Sequence, residues 1–248
     1  MKRTIKGNIL NHDGAGNESL LEQDKLFLSL AEQLSQTFLQ ITRAAEIGKD
    51  AATIESWYKI KDISEAAMFL TDAYAMQQRL ERSLLQAQIE PVTISSLLYD
   101  TSQKLQPLAK RYDVELQLDG LSKLAPVMSD RYILQTALVS LGQVFILAES
   151  QNEDSRPLRL MGHRGRYGTV AGFYGEQMDL TASSYRYALK NYRQAKQPLS
   201  KIVNGPATGV IIADKLLHSL ESKLHVARYH KLLGLAVTLP TCNQLQLV

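Results

Sequence analysis

The chain has 248 residues, of which 45% are hydrophobic and 21% are charged, and its formal net charge at pH 7 is +3. This length suits one large domain or two small ones with a buried core. No apolar run reaches the ~20 residues of a membrane span, and the first residues lack the apolar core of a signal peptide. The single cysteine, Cys242, excludes an internal disulfide and cannot alone build a structural zinc site. We expect a cytoplasmic protein that associates with no membrane and holds no metal or other cofactor.

The first third of the chain predicts a tail followed by a long helix. Residues 1–17 have little periodic apolar content, which indicates a flexible tail. Ser19, followed three residues later by Glu22, is a capping box that predicts a helix start. The apolar stripe beyond it extends over a helix of ~28 residues, and Gly48 then allows the chain to turn.

A second long helix is predicted from about Ile54 to Gln88, because Pro91 cannot continue it. Two such helices cannot bury their apolar stripes against each other alone. We therefore expect residues 18–90 to form an antiparallel hairpin that pairs with a second copy in a four-helix bundle. The alternative is burial of the stripes against the chain's own C-terminal part. The stripes contain Leu20, Leu21, Phe27, Leu30, Leu34, Phe38 and Ile41, then Trp57, Ile60, Ile63, Phe69, Leu70, Ala73, Met76, Leu80 and Leu84.

The rest of the chain, residues 91–248, alternates between helical and strand patterns. Thr93 and Ser129 are expected to cap the first two helices of this part. Alternating apolar residues predict strands. A chain with this order of helices and strands is expected to form a mixed sheet covered on one face by helices, an α+β sandwich. Strands are predicted at about 114–118, 157–162, 168–174, 223–229 and 233–239, and further helices at about 180–197 and 208–221.

Positive charge is concentrated in residues 156–201. Nine Lys and Arg residues in this region stand against Glu176 and Asp179, a local balance of nine minus two, or +7. Such density attracts nucleic acid or an acidic protein, although a charged run is more often a solvated surface. A nucleic-acid-binding regulator is therefore one alternative function.

The resemblance to a known family is strongest in residues 91–148, which read PVTISSLLYDTSQKLQPLAKRYDVELQLDGLSKLAPVMSDRYILQTALVSLGQVFILA. This stretch resembles the segment of sensor histidine kinases that leads from the dimerisation hairpin into the ATP-binding domain. The C-terminal SKLHVARYHKLLGLAVTLP likewise resembles the closing β-hairpin of that domain. The resemblance covers about residues 20–240. It implies a helical hairpin at 18–90 and a degenerate ATPase domain at 91–248.

The phosphoacceptor position of that family is altered in this chain. The segment KLFLSLAEQLSQTFLQI stands where family members carry F-L-x-x-x-S-H-E-L-R-T-P-L, and the match of Gln33-Leu34 to Glu-Leu places Glu32 at the histidine. A carboxylate has no neutral ring nitrogen to attack a γ-phosphate. No histidine occurs between His12 and His163, so a shifted alignment supplies none. We expect no catalytic residue in the hairpin.

The helix that carries the family's magnesium-binding Asn is altered too. The Asn position is Gln143, and the basic residue expected three positions later is Ile146. The family's Asp-x-Gly-x-Gly, which binds the adenine amino group, corresponds to VAGFYGEQM. That segment offers Gly172 and Gly175 but no acid at the required spacing.

The glycine-rich phosphate loop, G-T-G-L-G-L in the family, corresponds to residues 205–210. Pro206 removes a backbone N–H, and Ala207 replaces a glycine whose conformational freedom lets the loop wrap phosphates. Gly209 persists. We expect ATP to bind weakly at best.

The resemblance thus implies a histidine-kinase-like signalling protein that is catalytically silent and acts as a homodimer. Its expected partner is a response regulator or another kinase, bound by a polar strip of the first helix: Glu32, Gln33, Gln36 and Gln40. The enzymatic alternative is a divergent histidine kinase, phosphatase or phosphotransferase, in which Gln33 or Gln36 supplies an amide that orients water.

Overall fold

This computed structural model describes residues 13–50, 54–120, 124–150, 156–176 and 208–242. Helices and strands follow one another along these residues. The helix predicted at 180–197 lies outside these residues. The elements in chain order are α1 (Asp13–Asp50), α2 (Ile54–Glu81), β1 (Glu90–Val92), α3 (Ile94–Arg111), β2 (Leu116–Asp119), β3 (Val127–Ser129), α4 (Arg131–Glu149), β4 (Leu158–Gly165), β5 (Gly168–Gly175), α5 (Thr208–His218), β6 (Leu224–Tyr229) and β7 (Leu232–Leu239).

α1 and α2 form the helical hairpin predicted from the apolar stripes. α1 begins at Asp13, so residues 13–17 of the expected tail are helical. Gly14 and Gly16 weaken a helix by about 1 kcal/mol each relative to alanine but do not break it. Only residues 51–53 separate the two helices in sequence, and so short a connection makes contacting helices antiparallel.

α2 ends at Glu81 rather than at Gln88. Ser83 adopts the left-handed conformation, with a φ of 55°. The N–H of Leu84 donates to the carbonyl of Arg79 at 2.8 Å, which is the long-range bond of a Schellman C-cap. The helix is therefore ended by its own capping turn, and the proline expected to stop it lies in β1.

The α/β part, from β1 to β7, is built on a five-stranded sheet of order β2-β4-β5-β7-β6. β2 pairs with β4 in parallel, and the other neighbours are antiparallel. The parallel pair needs a crossover, which runs through β3 and α4. β1 and β3 form a separate two-stranded ladder. The mixed sheet predicted from the sequence is thus confirmed.

Helices α3, α4 and α5 cover one face of the five-stranded sheet. Alternate strand residues point into this layer, and Leu160, Phe173 and Leu235 at the sheet's centre are fully buried there. Within the described residues, α4 is the one helix long and apolar enough to cross a membrane, but 72% of its apolar stretch is buried inside the protein. Such burial is expected of a core helix.

α4 is capped by Asp130 and not by Ser129, which belongs to β3. The Oδ1 atom of Asp130 accepts hydrogen bonds from the N–H groups of Tyr132 and Ile133, both at 2.9 Å. Its Oδ2 atom accepts from the N–H of Gln88 at 2.8 Å. One carboxylate therefore satisfies the start of α4 and anchors the chain that arrives from the hairpin.

The hairpin packs against the α/β part of the same chain. Leu26 and Leu30 of α1 belong to the same continuous core as α4 and α5, together with Leu70, Ala73 and Met76 of α2. All five side chains are at most 7% exposed. Part of each stripe is thus buried within the chain, which is the alternative that the sequence left open.

Three of the described stripe residues on α1 and α2, together with Met68 of α2, stay exposed after this packing. Phe27, Phe38, Trp57 and Met68 are 56%, 62%, 69% and 64% exposed. Large apolar side chains at such exposure on adjacent helices form the kind of patch that marks an interaction surface. We call these four residues the exposed apolar face.

The opposite face of the sheet carries a smaller cluster around Tyr174, which is fully buried. The Tyr174 hydroxyl lies 3.1 Å from Nε2 of His163, and the His163 ring stacks on Tyr229 with centroids 4.5 Å apart. Burial raises the pKa of Tyr174. Burial also lowers the pKa of His163, partly opposed by the hydrogen bond to the Arg164 backbone.

Candidate functional site

The middle of α4 is where the resemblance places the magnesium-binding and basic residues. Gln143 is half-buried on this helix. Ile146 is fully buried and belongs to the main hydrophobic core. A side chain inside the core cannot reach a phosphate, so Ile146 cannot act as its basic equivalent would. Of the two α4 positions at which the sequence predicts nucleotide contacts, Gln143 therefore keeps a partly accessible polar group and Ile146 has none.

Gly172 does not lie in a loop, contrary to its alignment with the glycines of the adenine motif. It stands in the middle of β5, paired with Met161 on one side and Ala236 on the other. A Cβ at Gly172 would collide with the carbonyl oxygen of Leu235. This glycine therefore serves close strand packing. Of the two glycines, Gly175 is the one that lies at a strand end, because it is the last residue of β5.

Phe173 stands two residues before Gly175, at the spacing of the acid in Asp-x-Gly. Its side chain is fully buried, and its ring stacks on Phe145 of α4 with centroids 5.9 Å apart. The ring also covers Gly142, where a Cβ would lie 2.6 Å from Cζ of Phe173. An apolar stack thus fills the space between α4 and β5 where an acid would be needed. The sequence analysis named both Gly172 and Gly175 but did not consider Phe173, although its two-residue spacing from Gly175 is visible in the sequence.

Gly209 lies in the first turn of α5, against α4. A Cβ at this position would lie 2.6 Å from Cγ2 of Val144 and 2.7 Å from the carbonyl oxygen of Ser140. Helix packing therefore requires glycine here, whether or not phosphate binds. Pro206 and Ala207 lie outside the described residues.

The start of α5 meets α1 next to the phosphoacceptor position. The hydroxyls of Ser29 and Thr208 are 2.7 Å apart and share a hydrogen bond. Glu32 follows Ser29 by three residues, so both lie on one face of α1, one turn apart. Glu32 is exposed. Glu32 and Gly209, which the sequence predicts at the phosphoacceptor position and in the phosphate loop, thus lie on the two helices that meet at this hydrogen bond.

The predicted polar strip is partly exposed. Glu32, Gln36 and Gln40 are solvent-exposed, whereas Gln33 is half-buried. The Oε1 atom of Gln33 is buried and has no hydrogen-bond partner among the described residues. The strip available to a partner therefore consists of Glu32, Gln36 and Gln40, with Ser29 on the same face.

The basic region is described only as far as residue 176. There, Arg156 pairs with Glu176 at 2.7 Å and Arg159 pairs with Asp119 at 2.8 Å. Arg164 and Arg166 are exposed, and the guanidinium of Arg166 lies 5.4 Å from the centroid of the Tyr167 ring. Two of the four arginines in this stretch are thus neutralised by ion pairs. Among the described residues no cluster of His, Cys, Asp and Glu could hold a metal ion.

Solved structures share this architecture. The chain superposes on the Acinetobacter baumannii histidine kinase AdeS with a TM-score of 0.54 at 12% identity, covering 85% of this chain and 98% of that one. The chain has the histidine-kinase fold. Full-length ShkA in complex with AMPPNP matches with a TM-score of 0.52 at 14% identity, over 88% of this chain and 46% of the ShkA chain. The catalytic domain of the histidine kinase ThkA gives a TM-score of 0.49 at 11% identity, over 62% of this chain and 96% of that one.

No protein-family model and no curated protein matches the sequence. At identities this low, the superpositions on AdeS and ShkA establish the histidine-kinase fold and nothing beyond the fold. These two confirm the predicted fold class, a helical hairpin followed by an α/β sandwich like the kinase ATPase domain.

Proposed function

We propose that this chain is a catalytically silent, histidine-kinase-like signalling protein of the two-component type, which acts as a homodimer by binding a partner. The observation that carries the proposal is that buried core residues stand at positions where the family has charged residues. Ile146 and Phe173 stand where the family uses a base and an acid, and both are fully buried in the core. Restoring either function would require opening the core, which makes these losses hard to compensate elsewhere.

Three further observations support a silent protein. Glu32 has no nitrogen nucleophile. Gly172 and Gly209 are explained by strand and helix packing alone. Gln143 alone keeps an amide oxygen near the family's magnesium position. We propose that nucleotide binding is weak and that no cofactor is needed.

Homodimerisation is proposed from the exposed apolar face. Its four side chains lie outside the contact between the hairpin and the α/β part, so a second hairpin can cover them. A four-helix bundle is the arrangement in which two hairpins bury such faces. We further propose that residues 18–90 are the dimerisation domain, that residues 91–248 are a degenerate ATPase domain, and that the protein works in the cytoplasm.

The proposed partner is a response regulator or another kinase, docked on the strip of Glu32, Gln36 and Gln40. In the family this face presents the phosphohistidine to a receiver domain. The strip has polar groups and solvent exposure, and it lies beside the start of α5. A partner could therefore contact α1 and the α/β part together.

The test uses purified receiver domains from the same cell and the intact protein. Each receiver is titrated onto the immobilised chain with and without ATP and magnesium, and phosphate transfer is followed with γ-labelled ATP. Binding of a receiver without ATP, and without label on either protein, supports the proposal. Acid-labile label on this chain or label on the receiver would show an active kinase. Loss of phosphate from a prephosphorylated receiver would show a phosphatase.

A further inference from the structure

An ion pair ties the middle of α2 to the end of α3. Nε of Arg111 lies 2.6 Å from Oδ2 of Asp62, and the two side chains are only 25% and 16% exposed. The Arg111 guanidinium also lies 5.8 Å from the centroid of the Tyr58 ring, one turn earlier on α2. Burial and the Asp62 carboxylate raise the pKa of Tyr112. Asp62 is thus in electrostatic contact with the end of α3.

A second ion pair ties the end of α2 to α5. Nζ of Lys215 lies 2.7 Å from Oε1 of Glu81, with side chains 21% and 32% exposed. Glu81 and Asp62 are nineteen positions apart on one helix, which places them about 28 Å apart along its axis. The four side chains are between 16% and 32% exposed, so solvent and salt screen both pairs less than fully exposed pairs. Glu81 as a whole residue is exposed, so its pair is screened more than the Asp62–Arg111 pair.

An apolar contact lies between the two ion pairs along α2. Leu70, Ala73 and Met76 of α2 lie between them in sequence and are buried in the common core. Apolar burial has no preferred direction, so this contact alone allows the hairpin to slide or rotate on the α/β part. Charged groups at both ends of the contact fix its position.

The connection between the two parts is suited to act as a hinge. Residues 82–89 include the left-handed turn at Ser83, and all but Ala87 are solvent-exposed. Asp130 fixes the far end of this connection through the N–H of Gln88. An exposed segment with one fixed end absorbs a rotation of either part at little cost.

We infer that the Asp62–Arg111 and Glu81–Lys215 pairs form a two-point charge latch that clamps the α/β part onto its own hairpin. The latched protein moves as one body, with α5 held against Ser29. Neutralising both pairs releases the α/β part to turn about residues 82–89. This inference does not depend on the proposed partner or on catalytic silence.

The test measures a distance across the contact. In a Cys242→Ser background, spin labels are placed at Thr71→Cys on α2 and Gln103→Cys on α3, both at exposed positions. Labelled chains are diluted into unlabelled chains, so that distances between copies do not contribute. The latched protein gives one narrow distance. Asp62→Asn and Glu81→Gln each increase the population at longer distance about fivefold, and the double variant increases it further.

The chain offers a matched control on the same helix. Lys61 and Glu65 form an exposed ion pair at 3.7 Å, with side chains 65% and 59% exposed. Lys61→Gln with Glu65→Gln leaves the distance unchanged, because exposed pairs contribute little. The exchange Asp62→Arg with Arg111→Asp restores the narrow distance.

Two outcomes would overturn the latch. One is a single narrow distance that survives in the Asp62→Asn, Glu81→Gln double variant. The other is a longer distance that arises only together with loss of the helical circular dichroism signal, because the pairs would then stabilise the fold and not orient its two parts.

Discussion

Ser29 on α1 and Thr208 at the start of α5 share a hydrogen bond of 2.7 Å across 179 residues of sequence. Thr208 adjoins Gly209, and Ser29 lies one turn from Glu32. In the proposed correspondence to histidine kinases, Glu32 stands at the phosphoacceptor position and Gly209 in the phosphate loop. The proposed docking role therefore belongs to the surface beside this hydrogen bond.

Removal of polar side chains from the strip tests that role. Glu32→Ala with Gln36→Ala should weaken binding of the receiver or kinase partner about tenfold, the effect of losing roughly 1.4 kcal/mol of contact energy. Dimer stability should not change, since both side chains are exposed. Surface plasmon resonance gives the affinity. Gln103→Ala on α3 is the control for loss of an exposed amide elsewhere, and equal affinities of all variants would move the site off α1.

Nucleotide binding should be very weak. With Ile146 and Phe173 in the core, we expect a Kd for ATP with magnesium above about 1 mM, a binding free energy weaker than about 4 kcal/mol. Titration calorimetry measures it, with ShkA, which was solved in complex with AMPPNP, as the positive control. A low-micromolar Kd would mean that Gln143 and residues outside the described part build a working site.

Much of the fold could be predicted from local pattern. β6 and β7 were placed within one residue of their observed bounds, because alternating apolar residues mark a half-buried strand wherever it pairs. The end of α2 was placed too late, at Gln88, because its Schellman turn uses Ser83. A serine in that role has no sequence signature, whereas glycine would have.

The site was less predictable, because its residues depend on register and on distant contacts. A glycine looks the same in the sequence whether it lies in a strand or in a nucleotide-binding loop. Only the pairing of Gly172 with Met161 and Ala236 shows that it lies in a strand. The contacts of Ser29 with Thr208 and of Asp62 with Arg111 join segments far apart in sequence. No periodicity or spacing within one segment carries that information.

Three helices end at a non-glycine residue in the left-handed conformation, at Ser83, Asp113 and Glu221, each with a φ of 55°. A side chain there costs roughly 1 kcal/mol relative to glycine. Each of Ser83→Gly, Asp113→Gly and Glu221→Gly should therefore raise the free energy of unfolding by up to about 1 kcal/mol. Urea denaturation measures the change. Gln103→Gly, inside α3, is the control and should lower the free energy of unfolding by roughly 0.5–1 kcal/mol. Destabilisation by all four variants would contradict the capping geometry.

The stability contributed by His163 should depend on pH. Burial lowers its folded-state pKa below the ordinary value of 6.5, so the unfolded chain takes up the proton first as the pH falls. The contribution is fully present above pH 6.5 and declines below it, until the pH has fallen through the folded-state pKa. In urea denaturation, wild type should therefore lose more stability than His163→Gln between pH 7.5 and 5.5.

Gln103→Ala, which changes no titratable group, is the control for that experiment. If His163→Gln follows the wild-type pH dependence, burial does not lower the pKa of His163 in the folded protein.

The exposed apolar face should hold the homodimer together. Phe38 and Trp57 remain 62% and 69% exposed in the single chain, and burial of each against a second hairpin contributes about 1.5–3 kcal/mol. Phe38→Glu or Trp57→Glu would place an unpaired charge in that contact, at a cost of several kcal/mol. Each variant should therefore be a folded monomer by light scattering at micromolar concentration, at which we expect the wild type to be a dimer.

The position of the substitution decides what such an experiment measures. Leu34 and Leu80 are half-buried against the chain's own core, so a charge at either would unfold the protein as well as separate the copies. Tyr132→Glu and Tyr167→Glu, at residues 63% and 78% exposed on the α/β part, should leave the dimer intact. A monomeric wild type would contradict the dimer outright. It would also mean that the four large apolar side chains of the exposed apolar face stay in water. The contact between the hairpin and the α/β part would then have to offset the free-energy cost of that exposure alone.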